Sequence, residues 1–255
     1  MPHIIERMAE LERRYAGELA DDRKRLKDPA RCPHPARVLR GMRGKLRFLA
    51  VAAYRLRGDV LQFRTGMREA AEMQKELFLR ADRGESVSTS YLSALTYQQV
   101  LDALAAGDSS LASWLADRIG FYPNKGDAKV HPLDLAFAWA LKVSVLSDQP
   151  GAEERLAAFG AVCQSRGNAA FEGYARFFGA LFSRDCAAAN VALESIAAGH
   201  KRLSRANGVF DDTEDEVLCV WGVGVANLAR SRGLDVQAVP PLIRGDLLLP
   251  VATGA

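Results

Sequence analysis

The side chains that most often perform catalysis are few and far apart in this chain. The four histidines, His3, His34, His131 and His200, lie in the N-terminal segment, in two proline-containing loops and at a helix end. Catalysis needs groups that converge on one point, and no histidine here accompanies a nucleophile motif. The strings GxxxxGK[ST], HExxH and GxSxG are absent as well. The sequence therefore predicts no catalytic residues and a protein that is not an enzyme.

Metal and cofactor sites have equally little support in the sequence. The cysteines, Cys32, Cys163, Cys186 and Cys219, occur singly, and no CxxC pair is present. Cys32 and His34 supply two ligands at most, whereas a structural zinc site needs four. We expect free thiols, no metal and no cofactor.

One segment concentrates negative charge. The string FDDTEDEV contains Asp211, Asp212, Glu214, Asp215 and Glu216, which are five acids in six positions. They precede an apolar pattern that predicts a helix over 214–232, whose first-turn amides favour negative charge, with Asp212 or Thr213 as the cap. The cluster is either an overcharged helix start or an electrostatic patch for a basic partner, which would raise association rate and specificity.

The aromatic residues offer a second candidate contact. Most of them fall at helical core spacing, and packing is their expected role. Phe121 and Tyr122 lie instead in the long loop from Gly120 to Pro132. An exposed aromatic side chain there would be an anchor for a binding partner.

Positive charge is concentrated at the other end of the chain. Residues 1–83 contain 20 Lys and Arg against 12 Asp and Glu, whereas residues 84–255 contain 14 against 19. The stretch from Arg23 to Arg57 has 12 basic residues and one acid, Asp28. It is either a set of solvated helix faces or a surface for nucleic acid or an acidic protein. Nucleic acid is the less favoured partner because interleaved aromatics for base stacking are scarce.

The elements that position these groups are helices. A unit of two apolar helical segments separated by a short break ending in Asp recurs at Asp59, Asp108, Asp148 and Asp185, and Asp is a preferred N-cap. Alternating β-branched runs are missing. The apolar periodicity predicts helices over residues 4–27, 38–57, 60–80, 91–106, 109–119, 132–146, 151–165, 169–183, 186–203 and 214–232.

The predicted fold is all-α, an irregular array of helix hairpins that forms a tetratricopeptide-like solenoid or a helical bundle. A polar break, RADRGESVSTS, separates a basic N-terminal helical portion, 1–83, from a helix-hairpin array, 84–255. We expect the two to pack as one continuous domain. No apolar stretch approaches the roughly 20 residues of a membrane span, and the N-terminal residues lack the features of a secretory signal. The expectation is a cytoplasmic protein with no membrane contact.

Three stretches resemble a bacterial immunity family of polymorphic toxin systems, immunity family 49: TYQQVLDALAAGDSSLASWLADRI, HPLDLAFAWALKVSVLSDQPGAEERLAAF and WGVGVANLARSRGLDVQAVPPLIRGDLLLP. The residues that match the family's helix end and apolar-Pro tail are Leu228, Ala229, Arg230, Gly233, Leu234 and Pro250. The resemblance implies an all-α, non-enzymatic protein that binds and neutralises a cognate toxin.

The leading hypothesis from the sequence is therefore an immunity protein that occludes a toxin by direct contact. Its acids from Asp211 to Glu216 would meet a basic active-site rim, and a nuclease toxin would suit that charge pattern. Two alternatives stay open. One is a helical-repeat adaptor or chaperone that binds a protein partner, and the other is a nucleic-acid-binding regulator that uses Arg23 to Arg57.

Overall fold

A computed structural model of the chain describes residues 3–122, 130–147, 150–165, 167–205 and 207–253. The described residues contain no β-strand, and the all-α prediction is confirmed. The helices are α1 (His3–Leu26), α2 (Pro35–Arg57), α3 (Val60–Asp82), α4 (Tyr97–Ala106), α5 (Ser109–Asp117), α6 (Pro132–Leu146), α7 (Ala152–Cys163), α8 (Glu172–Ser183), α9 (Cys186–Leu203) and α10 (Val220–Ser231).

Aspartates start three of these helices, as the spacing predicts. Asp59, Asp108 and Asp185 each accept a hydrogen bond, at 2.9 Å, from the amide three residues later, at the starts of α3, α5 and α9. Each carboxylate thereby satisfies one of the amides that have no partner within the helix. The fourth predicted cap, Asp148, lies outside the described residues.

Neighbouring helices pack as hairpins, and the last helix closes the array. α2 packs along α3, α6 along α7, and α8 along α9, whereas α10 lies mainly against α4. At that junction Asn227 donates to the carbonyl of Leu104 at 3.1 Å. A Cβ at Gly224 would stand only 2.7 Å from the Leu101 carbonyl oxygen. Only glycine at this position lets α10 approach the backbone of α4 so closely.

One hydrophobic core runs through both the basic portion, 1–83, and the rest of the chain. Phe63 and Phe78 of α3 and Phe137 of α6 belong to the same group of buried side chains. Phe137 stands among other rings, with centroids 4.9 Å from Tyr97 and 5.1 Å from Tyr174. This shared core packs the N-terminal helices against the helices that follow them.

Three predicted helices begin at least three residues later than their patterns indicate. Residues 169–171 of the predicted 169–183 helix form a 3₁₀ turn, and α8 begins at Glu172. At the start of the predicted 91–106 helix, residues 89–91 and 94–96 form two short 3₁₀ turns, and α4 begins at Tyr97. The predicted 214–232 helix is wrong in its first turns, because residues 214–216 form a 3₁₀ turn and α10 begins at Val220. The amide of Cys219 donates instead to the carbonyl of Leu242 at 3.0 Å. A tertiary contact there overrides the local helical preference.

Within the described ranges, no helix combines the length and the apolar character that crossing a membrane requires.

Candidate partner-binding surface

The outward side of α2 is open to solvent along its N-terminal half. Arg37, Arg40, Gly41 and Gly44 are exposed, and Arg43 between them is half-buried; we call these five residues the α2 face. A Cβ at Gly41 or Gly44 would meet no other atom within 4 Å. Glycine in a helix interior costs about 1 kcal/mol relative to alanine, and no packing within the described chain requires it here. The two glycines leave room for an approaching molecule over the helix backbone.

The arginines of the α2 face have no carboxylate partner among the described residues. The guanidinium of Arg40 lies 5.1 Å from the ring centroid of Tyr91. Arg43 donates to the amide oxygen of Gln74. Burial lowers the pKa of Arg43 to about 10. The nearby positive charges of Arg40 and Arg47 lower this pKa further, whereas the negative charge of Asp102 opposes the change. Three cations therefore share this surface without neutralisation.

Other cations of the basic stretch are paired with acids of the N-terminal helices. Arg23 lies 2.6 Å from Glu69, Lys45 lies 2.7 Å from Asp22, and Arg57 lies 2.6 Å from Glu12. The excess positive charge of residues 1–83 is therefore not spread evenly. Among the described residues, the exposed cations that form no ion pair include Arg37 and Arg40, where α2 is open, and also Arg13 and Arg55.

Beneath the α2 face, one arginine joins three carboxylates. Arg47 Nε lies 3.0 Å from Asp102, its Nη2 lies 2.7 Å from Asp215, and its Nη1 bonds to Glu214. We call these four residues the Arg47 cluster. Burial disfavours the charge of Arg47, but the three carboxylates together raise its pKa well above the ordinary value.

Asp102 receives only a share of this single cation. Its side chain has no exposed surface, and its second oxygen, Oδ2, accepts no hydrogen bond from a described residue. Burial therefore raises its pKa to about 6, although Arg47 opposes the change.

The predicted acidic patch is consequently divided between interior and surface. Glu214 and Asp215 belong to the Arg47 cluster, while Asp211 and Asp212 are exposed and Glu216 is half-buried. Asp212 pairs with Arg7 at 3.1 Å, and Asp211 accepts the Asn207 amide at 3.0 Å. Arginines of α1 and α2, rather than the first turn of a helix, offset the repulsion among these acids. Asp211 and Asp212 are the members that another molecule can reach most easily.

Concave surfaces flank the α2 face on both sides. A groove of about 510 Å³ lies toward α1, between Tyr15, Gly41 and Thr213. A cleft of about 390 Å³ lies on the α4 side; we call it the Gln99 cleft. Its walls include Tyr97, Gln99, Asp134, Phe171, Phe210 and Trp221, and its edge includes Arg43 and Gly44.

Gln99 is the unusual group of this cleft. Its residue is 3% exposed, and its side-chain oxygen Oε1 accepts no hydrogen bond from a described residue. Most buried polar atoms are hydrogen-bonded, so an unpartnered acceptor needs an explanation. The mouth of the cleft carries Leu95 and Val209, which are 38% and 64% exposed. The cleft thus has an apolar mouth, and the unpartnered Gln99 oxygen is enclosed without accessible surface of its own.

The predicted aromatic anchors behave differently from each other. Phe121 is 58% exposed, and the Arg118 guanidinium lies 4.7 Å from its ring centroid. Tyr122 is half-buried, stacks on Phe78 with centroids 5.9 Å apart, and donates to Asp82. Neither ring contacts the Arg47 cluster or the α2 face within the described structure. Phe121 stays a candidate contact, whereas the ring of Tyr122 is engaged by its own chain.

The described side chains that could perform chemistry remain apart. Among the described residues, no three His, Cys, Asp or Glu side chains lie together as metal ligands would. His34 is exposed, and His131 accepts the Leu133 amide at the start of α6. His200 is buried, with Nε2 2.5 Å from the Asp215 carbonyl oxygen. The four cysteines are free thiols, as predicted, and burial raises the pKa of Cys163 to about 12.

Sequence reasoning missed Arg47, Gln99 and the two α2 glycines as members of a site. One signal was available for the Arg47 cluster, because Asp102 interrupts the apolar string VLDALAA of a predicted helix. An acid on an apolar helix face needs a buried cation. The string RGMRGK carried a second signal, since glycines three residues apart weaken a helix unless something approaches it.

Comparisons with protein families, with curated proteins and with solved structures find no match to this chain. The class is therefore defined by the fold and the surface alone: an all-α array with an open, positively charged helix face beside a polar cleft.

Proposed function

We propose that this protein is a non-enzymatic immunity protein, which binds a cognate bacterial toxin and neutralises it by covering its surface. The α2 face with the adjoining Gln99 cleft is the contact surface. The observation that carries the proposal is that Arg37 and Arg40 are exposed without a carboxylate partner, above glycines that no part of the described chain covers. The choice of a toxin as the partner rests only on the sequence resemblance of the last 160 residues to the immunity family.

The chemistry of the surface fits protein recognition. Arginine is enriched at protein interfaces and at the residues that dominate binding energy, because its planar guanidinium forms several directed hydrogen bonds. The α2 glycines allow a partner's backbone or side chains to approach the helix closely. An acidic region of the toxin would pair with Arg37 and Arg40. Asp211 and Asp212, exposed near the groove toward α1, would meet basic groups at the toxin's rim.

A charge-reversal experiment tests the contact surface. The toxin is first obtained by pull-down of the tagged protein from its native host, where we expect one stoichiometric toxin-like domain. The double variant Arg37→Glu, Arg40→Glu should then lose about 100-fold in affinity, as expected when two interface arginines become repulsive, and should fail to protect cells that express the toxin.

The matched control is Arg13→Glu, Arg55→Glu. Both residues are exposed and, within the described structure, form no ion pair. Arg55 lies about 27 Å along α2 from Arg37, at 1.5 Å per residue. The control should bind and protect like the unaltered chain. Full protection by the Arg37→Glu, Arg40→Glu variant would remove the α2 face from the mechanism, and recovery of several unrelated proteins in the pull-down would favour an adaptor or chaperone.

The same arginines favour one second candidate, a nucleic-acid-binding regulator. Arg37, Arg40 and Arg43 would then contact phosphates, and binding would weaken steeply with added salt because counterions are released. Labelled duplex and single-stranded DNA and RNA, titrated at low salt, test this alternative. If the protein binds none of these nucleic acids at low salt, the regulator alternative is dismissed.

A further inference from the structure

A hollow of about 370 Å³ lies over the α2 face and is lined by its five residues, Arg37, Arg40, Gly41, Arg43 and Gly44. The described residues that line it include three cations and no acid. Arg37 and Arg40 are exposed, so a molecule in solution can reach their guanidinium groups, and Arg43 is half-buried beside them. A lining of this charge attracts an anion.

These cations occupy positions that a helix disfavours. Arg37, Arg40 and Arg43 follow one another at intervals of three residues, a spacing at which like charges are neighbours on a helix and repel each other. Arg37 also lies in the first turn of α2, where the helix dipole favours negative charge and where the sequence has no acid. A bound anion would offset both of these unfavourable interactions.

Two of the three guanidinium groups are positioned through one residue, Tyr91. The guanidinium of Arg40 lies 5.1 Å from the ring centroid of Tyr91. Arg43 donates to the side-chain oxygen of Gln74, which is fully buried, and the side-chain nitrogen of Gln74 donates to the Tyr91 carbonyl at 2.8 Å. Arginines that are already held by such contacts lose less conformational entropy when a ligand binds. The hollow is therefore preorganised for an anion.

The number of cations favours a phosphate group over a carboxylate. An anion that is shared by two or three guanidinium groups needs several acceptor oxygens and more than one negative charge. A phosphate monoester has three such oxygens and a charge of about −1.5 to −2 at pH 7, whereas a carboxylate has two oxygens and a single charge. The planar guanidinium also matches the geometry of phosphate oxygens. Gly41 and Gly44 leave the space over the helix free for the remainder of the ligand.

We infer that the hollow over the α2 face is a binding site for a phosphate group, whose oxygens accept hydrogen bonds from Arg40 and Arg43, with Arg37 at its edge. A bound phosphate would occupy the cations that an acidic region of a protein partner needs. The ligand would therefore compete with that partner for the α2 face. The competition with a toxin rests on the proposed function, whereas the phosphate site itself does not.

Titration with phosphate tests the site without the toxin. The full chain, labelled with ¹⁵N, is titrated with sodium phosphate at constant ionic strength. The backbone amides of Gly41 and Gly44 and the side-chain Nε–H groups of Arg40 and Arg43 are followed by NMR. We expect saturable shifts of these signals, with a dissociation constant on the order of 1 mM.

Three further ligands define the chemistry. AMP, a phosphate monoester, should shift the same signals, and the tighter binder of AMP and inorganic phosphate distinguishes an ester from the free ion as the source of the phosphate group. Adenosine, which lacks the phosphate, should leave the signals in place. Succinate has two negative charges on separate carboxylates and should bind at least about tenfold more weakly than phosphate, because its oxygens do not converge on one point.

Two variants locate the binding. Arg40→Gln removes an exposed cation, and Arg43→Lys keeps the charge but removes the planar fork of donors. Each should weaken phosphate binding about tenfold, a loss typical of one charge-assisted contact. Arg55→Gln, which removes an exposed cation elsewhere on α2, is the control and should bind phosphate unchanged.

Three results would overturn the inference: no saturable shift with phosphate or AMP, equal binding of succinate, or unchanged phosphate binding by both Arg40→Gln and Arg43→Lys. Binding of duplex DNA at low salt without binding of phosphate or AMP would overturn it as well, in favour of the nucleic-acid-binding regulator.

The outcomes separate the phosphate site from the proposed function. A chain that binds phosphate through Arg40 and Arg43, yet neutralises no toxin, upholds the phosphate site and refutes the immunity proposal. A chain that neutralises a toxin but shows no saturable shift with phosphate or AMP upholds the immunity proposal and refutes the phosphate site.

Discussion

Arg47 in α2 and Asp102 in α4 form an ion pair that solvent scarcely reaches. Arg47 Nε lies 3.0 Å from Asp102 Oδ1, and the two side chains are 12% and 0% exposed. The pair joins the basic N-terminal helices to the rest of the chain, and Glu214 and Asp215 complete the cation's surroundings. Removal of the arginine would leave several carboxylates together without a counter-charge.

We therefore expect Arg47→Met to lower the free energy of unfolding by about 3–5 kcal/mol, the usual cost of breaking a buried ion pair from one side. Urea unfolding followed by circular dichroism measures the change. Arg55→Met, an exposed position on the same helix, should change it by less than about 0.5 kcal/mol. Equal effects of the two substitutions would contradict a structural role for the Arg47 cluster.

The raised pKa of Asp102 predicts a pH dependence of stability. In the folded state the Asp102 carboxyl group keeps its proton up to about pH 6. In the unfolded chain an aspartate loses its proton near pH 3.9. The folded state thus binds more protons between these values, and the contribution of Asp102 to stability falls as the pH rises from about 4 to about 6. Asp102→Asn cannot ionise. The unaltered chain should therefore lose about 3 kcal/mol of stability relative to this variant across that window.

Denaturant unfolding of both proteins at half-unit pH steps measures this difference, and the comparison cancels the other titrating groups. A difference that stays constant, or one that rises in favour of the unaltered chain, would mean that Arg47 holds the folded-state pKa of Asp102 at or below its unfolded value.

The α2 glycines give a test that separates stability from binding. Gly41→Ala and Gly44→Ala should each raise the free energy of unfolding by about 1 kcal/mol, because alanine has the higher helix propensity and the new methyl group meets nothing. Gly66→Ala in α3 is the contrasting control, since its Cβ would stand 2.8 Å from the Cβ of Ala50. Calorimetry should show a higher free energy of unfolding for Gly41→Ala and Gly44→Ala and a lower one for Gly66→Ala.

Binding should respond in the opposite sense. Gly44→Leu places a bulky side chain in the space above α2, and affinity for the proposed partner should fall although the fold is kept. Affinity that is unaffected by Gly44→Leu would show that the partner does not approach this part of the helix.

A second glycine pair tests the packing of α8 on α9. A Cβ at Gly173 would lie 2.5 Å from the backbone nitrogen of Ile196, whereas a Cβ at Gly179, on the same helix, would meet nothing within 4 Å. Gly173→Ala should therefore lower the free energy of unfolding by about 1–3 kcal/mol through overpacking. Gly179→Ala should stabilise slightly. Comparable thermal unfolding midpoints for the two variants would argue against the close α8–α9 contact.

Much of the fold follows from local signals in the sequence. The predicted helices 132–146 and 186–203 coincide with α6 and α9. Pro132 marks the start of α6 and the Asp185 cap marks the start of α9, and both signals act within one helical turn. The start of α10 was missed for the opposite reason. Residues 214–219 are held by Arg47 and by Leu242, and local propensity carries no information about such distant partners.

The candidate site is the part that sequence reasoning could least supply. In the sequence, the basic stretch and the acidic segment appear as two separate surfaces for two kinds of partner. In the structure, Arg47 and Asp215 bond to each other across 168 residues. One sequence shows which charges exist but not which of them neutralise one another. Unpaired cations such as Arg37 and Arg40 are recognisable only after the paired ones have been assigned.

The Arg47 cluster also bears on how the chain is made. Arg47 leaves the ribosome long before Asp215, and at 5–20 residues per second the intervening 168 residues take roughly 10–30 s to synthesise. During that interval α2 and α3 can pair as a hairpin, but the cation beneath them has no complete set of partners. The Arg47 cluster is therefore complete only after residue 215 has been synthesised, when about five sixths of the chain has been made. A fragment that ends before residue 214 would lack Glu214 and Asp215, so Arg47 would lie in it with only one of its three carboxylates.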